Sequence, residues 1–174
     1  MTFATMCAMI CCQQLCRTYP SNYIFLFVFT FFEGIMVGFV SAIFTWQSLL
    51  LAVGVTVFVF ICLTAYALNS QNDFTGYMPY FLAVLVVLGI FGLVLALLPA
   101  LGVSLEWTVA FYDAVGVLTF TIYIVLDTQL ILGEWGGHRF QFSVDDYVFA
   151  ALNLYMDIIN LFLHVLSLMG ERRV

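Results

Sequence analysis

The most prominent pattern in the chain is a series of long apolar runs separated by short segments rich in polar residues, Gly or Pro. A bilayer core of about 30 Å is crossed by roughly 20 apolar residues in a helix. Runs of that length predict five complete transmembrane helices, at residues 23–44, 46–68, 78–98, 107–132 and 147–169. A shorter apolar stretch at 2–15 predicts a partial span before them. The predicted fold class is therefore all-α, a polytopic transmembrane helix bundle forming one domain.

Composition supports this assignment, because 65% of the residues are hydrophobic and only 8% are charged. A soluble domain of 174 residues would need many more charged groups to cover its surface. The formal net charge of −6 comes from acids scattered among apolar segments rather than from an acidic tail. The lipid bilayer is therefore the expected environment, and nucleic acid is not an expected partner.

The few arginines leave the orientation in the membrane open. Arg17 and Arg139 are separated by four predicted spans and so share one side. Arg172 and Arg173 fall on the opposite side if the last run crosses fully. The side of the membrane with more Arg and Lys usually faces the cytoplasm, but here each side carries two arginines. The alternative is a last segment that re-enters and returns its arginine pair to the side of the others.

Four carboxyl groups fall inside predicted spans, where an ionisable group needs a partner, a water-filled cavity or a function. They belong to Glu33, Asp113, Asp127 and Asp157. The remaining acids lie in loops or at helix ends and are expected to be solvated; they are Asp73, Glu106, Glu134, Asp145, Asp146 and Glu171. If the protein binds or conducts ions, the four carboxyl groups inside the predicted spans are therefore expected to take part.

The last span carries a polar stripe on an otherwise apolar helix. Asn153, Asp157, Asn160 and His164 recur at i, i+4, i+7 and i+11, which places them on one helix face. That face is predicted to point into the bundle, where amides and carboxyl groups form hydrogen bonds between helices. Such a stripe can line an ion path, or it can serve helix packing alone.

Asp127 and Asp157 are predicted to face each other across the last two spans. Asp127 lies about five residues before the connecting loop and Asp157 about ten residues after it. At ~1.5 Å per residue, the difference in depth is about 8 Å, which helix tilt and stagger can reduce. Two carboxyl groups sharing a low-dielectric site cannot both ionise cheaply, so the pair is expected to titrate as a unit. Its oxygen ligands also suit Ca²⁺, which would compete with protons.

Two further carboxyl groups are candidates for pore or packing roles. Glu33 lies beside Gly34 and Gly38, a small-x-x-x-small pattern that permits close helix approach. Asp113 lies about four helical turns before Asp127 and near the opposite membrane surface. It is expected to be a solvated interfacial residue, or to line the far mouth of a pore.

The two histidines receive different expectations. His164 shares the face of Asp157 and is expected to be neutral and hydrogen-bonded, with a second titrating group as the alternative. His138 lies in a Gly-rich loop and is expected to be solvated. The sequence contains no nucleophile elbow, P-loop or His-Glu-x-x-His motif, so enzymatic function is not predicted.

Several segments together resemble a known family. They include Phe111-Tyr112-Asp113-Ala114-Val115-Gly116, Val125-Leu126-Asp127-Thr128-Gln129 and Ala151-Leu152-Asn153-Leu154-Tyr155-Met156-Asp157-Ile158-Ile159-Asn160, with Tyr19-Pro20-Ser21-Asn22-Tyr23 and Phe32-Glu33-Gly34 upstream. Over about residues 10–170, the chain closely resembles the Bax-inhibitor motif family (transmembrane BAX inhibitor motif-containing proteins), in its Lifeguard branch.

The resemblance implies a protein of the endoplasmic reticulum, Golgi or plasma membrane that takes part in Ca²⁺ leak and restrains cell death. It implies that Asp127 and Asp157 match an aspartate pair that governs a pH-dependent Ca²⁺ pathway in bacterial relatives, as sensor, gate and Ca²⁺ ligands. It also implies a basic latch near the second family helix, for which Arg17 is the nearest candidate.

The chain departs from the family pattern at two points. The family has seven helices, and its polar N-terminal tail, its first helix and most of its second are missing here, so an N-terminally shortened or divergent form is expected. Asp113 replaces what is usually a small residue, which changes the pore lining. The leading hypothesis is a pH-sensitive Ca²⁺ leak channel or channel-like regulator, with Ca²⁺ and protons as ligands. The alternative is a non-conducting scaffold that binds cell-death regulatory membrane proteins.

Overall fold

The structure, a computed structural model, describes residues 19–103, 106–143 and 146–173. It confirms the all-α class, with five helices that are long and apolar enough to cross a membrane within the described residues. They are α1 (Ser21–Ser41), α2 (Trp46–Asn69), α3 (Met78–Leu97), α4 (Glu106–Leu132) and α5 (Tyr147–Met169). Short 3₁₀ turns at Thr75–Tyr77, Leu98–Leu101 and Gly133–Gly136 extend α3 and α4. The predicted partial span at 2–15 and Arg17 lie outside the described residues.

The first helix ends at Ser41, before the predicted boundary at 44, because the following residues form a turn held by the C-terminal segment. Thr45 N donates to the Glu171 carbonyl at 2.9 Å, and Arg173 N donates to the Ile43 carbonyl at 2.8 Å. The Thr45 side chain then caps α2 by accepting a hydrogen bond from Ser48 N at 3.4 Å. The two segments thereby satisfy backbone groups that the helix ends leave without partners.

Helices α4 and α5 form the centre of the bundle. They pack against each other as antiparallel neighbours, and α2 packs against both. Phe120, Ile124 and Leu161 are fully buried in the apolar core between these helices. By contrast, α1 contacts mainly α5 and α3 contacts mainly α4, and both expose long apolar faces. Faces of this kind are stable when lipid acyl chains cover them, as expected for a multi-span membrane protein.

The last helix runs from one end of the bundle to the other. The loop before α5 contacts the α2–α3 loop, since Arg139 N donates to Asp73 Oδ2 at 3.0 Å. The segment after α5 pairs with the α1–α2 turn, through a bridge between Phe44 and Arg172. We call these two surfaces the Asp73 end and the Phe44 end. Arg139 therefore lies at one end and Arg172 and Arg173 at the other, so the re-entrant alternative is wrong.

Candidate functional site

Asp127 of α4 and Asp157 of α5 meet in the interior of the bundle. Their residues are only 4% and 6% exposed, and their carboxyl groups lie within hydrogen-bonding range of each other. Two carboxyl groups at this separation form a hydrogen bond only when a proton lies between them. The two side chains thus meet despite the offset of about 8 Å that counting residues at ~1.5 Å each predicts. The role of the pair as sensor and gate stays a prediction.

One oxygen of the pair is left without a partner. Asp157 Oδ2 is buried and accepts no hydrogen bond from any described residue. Tyr123, one turn before Asp127, lies close enough to both carboxyl groups to interact with their charges. A buried acceptor without a donor is unfavourable by about 1–3 kcal/mol, which is the arrangement expected where a proton, a water molecule or a cation binds.

The polar stripe of α5 points into the bundle as predicted. Asp157, Asn160 and His164 are buried, while Asn153 is half-buried. Asn160, however, donates through Nδ2 to the Met156 carbonyl of its own helix at 2.8 Å. This amide therefore satisfies its donor locally instead of binding a neighbouring helix.

Asp113 belongs to a second polar cluster, near the Phe44 end. Its Oδ1 lies 2.8 Å from His164 Nδ1, and its Oδ2 accepts a hydrogen bond from Ser167 Oγ at 2.5 Å. Asp113 and His164 are 5% and 7% exposed. The expectation of a solvated interfacial aspartate is therefore wrong, because a histidine and a serine of α5 replace the water.

The sequence contained a signal for this contact. Asp113 lies 19 residues before the end of α4 (132 − 113), and His164 lies 17 residues after the start of α5 (164 − 147). For antiparallel helices joined at these ends, the two residues differ in depth by about 3 Å at ~1.5 Å per residue. Asp113 and His164 therefore match in predicted depth more closely than Asp127 and Asp157 do.

Gly116 makes room for the second cluster. A Cβ atom added at this position would lie 2.6 Å from ring atoms of His164. We expect Gly116→Ala to displace the imidazole and to lower the free energy of unfolding by about 1–3 kcal/mol, as overpacking does in other cores. Thermal unfolding in detergent measures this change. Gly34→Ala is the matched control, since its added methyl group would meet no described atom within 4 Å. Equal stability of the two variants would contradict the prediction.

Glu33 lies on α1 and is 6% exposed. It faces α5 near Tyr155, with which it interacts electrostatically, two residues before Asp157. The adjacent Gly34 and Gly38 have open space around them among the described residues, so the close approach predicted from their spacing is not formed there. Glu33 is thus a buried carboxyl group beside the central pair of helices.

The two loops at the Asp73 end are held together by side chains that sequence reasoning missed. Gln129, fully buried on α4, donates to the Asn72 carbonyl at 2.8 Å and accepts from Phe74 N at 3.0 Å. Its position two residues after Asp127, as a polar side chain in an apolar span, was the available signal. This glutamine anchors the α2–α3 loop to the end of α4 that carries the aspartate pair.

The expectation of solvation fails for two residues in these loops. His138 and Asp146 are 5% and 9% exposed. The His138 Nδ1 atom lies 3.7 Å from Asp73 Oδ1. Asp73 itself accepts hydrogen bonds from Arg139 N and from the backbone and hydroxyl of Thr75. The expectation holds for Glu106, Glu134 and Glu171, which are exposed, whereas Asp145 lies outside the described residues.

The contacts of Asp73 make loop stability depend on pH. The hydrogen bond from the Thr75 hydroxyl, with smaller contributions from Arg139 N and His138, holds the pKa of Asp73 below its usual value. A lowered pKa adds stability above the unfolded value of about 4, and this stability is lost as the pH falls through the folded value. We expect acidification to destabilise the parent protein more than Asp73→Asn, by about 1 kcal/mol or less. Unfolding midpoints at about pH 7 and pH 3 test this, and identical pH dependence would contradict it.

Comparison with known proteins identifies the family of the chain. The family model described as "Inhibitor of apoptosis-promoting Bax1" matches residues 1–174. Human Protein lifeguard 3 is 35% identical over 162 residues, which are 93% of this chain and 51% of that protein. Mouse Protein lifeguard 3 is 31% identical over 168 residues, 97% of this chain and 53% of that protein. Bax inhibitor 1 of Schizosaccharomyces pombe is 35% identical over 153 residues, 88% of this chain and 53% of that protein.

The chain thus spans about half the length of these curated relatives. The family match extends over all five helices and both polar clusters. The resemblance predicted from the sequence is confirmed, and the chain belongs to the Bax inhibitor family, with two lifeguard proteins among its relatives.

Proposed function

We propose that this chain is a pH-sensitive pathway for Ca²⁺, acting as a leak channel or channel-like regulator in a protein that restrains cell death. The observation that carries the proposal is the buried contact between Asp127 and Asp157, in which Asp157 Oδ2 lacks a donor. The names of the matched family and of the fission-yeast relative, which refer to Bax inhibition, support the link to cell death.

The chemistry of the pair accounts for coupling between protons and Ca²⁺. While the two carboxyl groups share a proton, their hydrogen bond holds α4 against α5. Loss of that proton leaves two negative charges in a low-dielectric site, where they repel each other and attract a hard cation. Protons and Ca²⁺ therefore compete for the same oxygens, and the path opens as the pH rises.

The small number of protein ligands at the pair favours passage of Ca²⁺ over its retention at a fixed site. Among the described residues, no group of three or more His, Cys, Asp and Glu side chains is placed to hold a metal ion. A Ca²⁺ ion at the pair would keep water molecules to complete its six to eight oxygen ligands. Conduction requires binding that is strong enough for entry and weak enough for release.

A second function is favoured by a different observation. The apolar faces of α1 and α3 are broad and exposed, as in Phe27 at 74% and Phe39 at 71%. These faces suit a non-conducting scaffold that binds cell-death regulatory membrane proteins, with the polar stripe serving helix packing. In either case the protein would act in the endoplasmic reticulum, Golgi or plasma membrane.

Ca²⁺ flux into liposomes containing the purified protein, measured across pH, separates the two functions. The channel proposal expects flux that increases with pH. The absence of flux at every pH, from protein that is folded and inserted, would favour the scaffold.

A further inference from the structure

We propose that Asp113, His164 and Ser167 form a second proton-binding site, separate from the aspartate pair and reached from the Phe44 end. The cluster lies between α4 and α5, and its ligand is the proton. Binding of the proton at this site does not depend on Ca²⁺ conduction. It therefore goes beyond the function proposed above.

The geometry of the cluster is that of a buried proton-exchange unit. Asp113 Oδ1 lies 2.8 Å from His164 Nδ1, and with the carboxyl group ionised the imidazole is the donor of this hydrogen bond. Ser167 Oγ donates to the other oxygen at 2.5 Å. Both lone-pair regions of the carboxylate thus face donors, and the second imidazole nitrogen remains available for a further proton.

The cluster lies close to the Phe44 end of the bundle. Ser167 is exposed and lies two residues before the end of α5, while Asp113 and His164 are buried behind it. From the last residue of α5, His164 lies five residues deep, which is about 8 Å at ~1.5 Å per residue. The serine hydroxyl is therefore the outermost polar group of a short ladder leading inward from the Phe44 end.

Few charged groups lie near the cluster; α4 itself adds Glu106, which is exposed and lies seven residues before Asp113 (113 − 106). Neither α2 nor α3 carries a charged side chain; their titratable groups are Cys62, Tyr66 and Tyr80. Tyr112 of α4 contacts His164 edge to face, with ring centroids 5.3 Å apart. The C-terminal segment contributes Glu171, Arg172 and Arg173, all exposed at the same end. A carboxylate alone in such surroundings is costly, and one proton on the histidine makes the pair neutral.

The side chains between this site and the aspartate pair are largely apolar, but they include Asn160, whose amide donates to the Met156 carbonyl of its own helix. Phe120 lies midway between Asp113 and Asp127 on α4, and it stacks on the His164 ring at 5.7 Å. Ile124 and Leu161, both 0% exposed, lie in the same core cluster. No described hydrogen bond connects the two sites across these side chains.

The position of Gly116 shows that the cavity is shaped for the imidazole. The ring lies where any larger residue at 116 would place its Cβ atom. This observation concerns the space that α4 leaves for the His164 ring of α5, so it does not depend on the charges of Asp113 and His164.

A sided response to pH follows if the chain conducts, and this consequence rests on the proposed function. Acid at the Asp73 end would act through Asp127 and Asp157, whereas acid at the Phe44 end would act through Asp113 and His164. Two sites separated by a largely apolar core would let the protein compare the pH of two compartments.

The test is a titration of His164 by ¹⁵N NMR in lipid nanodiscs, which does not require flux. The chain has two histidines, so His138→Gln leaves His164 as the sole signal. We expect this signal to change with pH, as protonation of the imidazole requires. Adding Asp113→Asn is expected to shift the titration by about one pH unit or more, because the imidazolium loses its counter-charge. Adding Asp127→Asn should leave it unchanged.

Three results would overturn the proposal. They are a His164 signal that does not titrate, a titration that Asp113→Asn leaves unchanged, and an equal shift in Asp113→Asn and Asp127→Asn. If Asp113→Asn does not fold, Ser167→Ala removes one hydrogen bond from the same carboxylate at an exposed position and should give a smaller shift. Failure of Ca²⁺ conduction would not affect these readings, so the two proposals fail separately.

Discussion

Replacing either member of the aspartate pair is expected to abolish the pH dependence of Ca²⁺ flux in proteoliposomes. In Asp127→Asn and Asp157→Asn, an amide donates permanently to the remaining carboxyl group, so no proton needs to be shared between the residues. The remaining carboxylate also attracts a cation less strongly than two do. The entering cation loses one charged contact, which is worth about 1.5 kcal/mol or more. We therefore expect the flux at high pH to fall by about tenfold or more.

The appropriate control for this experiment is Glu171→Gln, which makes the same change in charge at an exposed residue near the Phe44 end. It should keep both the rate and the pH profile of the parent protein. A pH profile that survives in both aspartate variants would remove the gating role from the pair. The double variant should resemble the single ones, because each substitution alone already eliminates the shared proton.

Gln129→Ala is expected to produce the largest loss of stability among neutral substitutions. The side chain is fully buried and makes two hydrogen bonds to the backbone of the α2–α3 loop. Removing it leaves a donor and an acceptor without partners and opens a cavity, with an expected cost of about 2–4 kcal/mol. Thermal unfolding in detergent measures the loss, and cleavage of the 70–77 loop by protease should become faster.

The matched control is Gln47→Ala, the same change at an exposed position on α2. Its effect should stay within about 0.5 kcal/mol, as for most surface substitutions. If Gln129→Ala unfolds at the same temperature as Gln47→Ala, the glutamine does not anchor the loop. Because Gln129 lies two residues from Asp127, the variant should also affect Ca²⁺ flux if the loop covers the aspartate pair.

Local patterns were sufficient for the spans and for the polar face of α5. A transmembrane helix must satisfy its backbone within its own segment, so its length and apolar character can be recognised without knowledge of its neighbours. The same reasoning places Asp157, Asn160 and His164 on one face, because helical periodicity is a property of a single segment. It also explains why α1 could be predicted but its end at Ser41 could not, since that end depends on contacts with Glu171 and Arg173.

Contacts between segments required the tertiary structure. Asp113 resembles a solvated residue near a membrane surface until α5 brings His164 and Ser167 against it. His138 resembles a solvated loop residue until the α2–α3 loop buries it beside Asp73. The sequence by itself determined the five helices, the interior face of α5 and the candidate aspartate pair. Only the tertiary structure decided the second cluster, the Gln129 anchor and the crossing of α5, because helix register depends on side chains far apart in the chain.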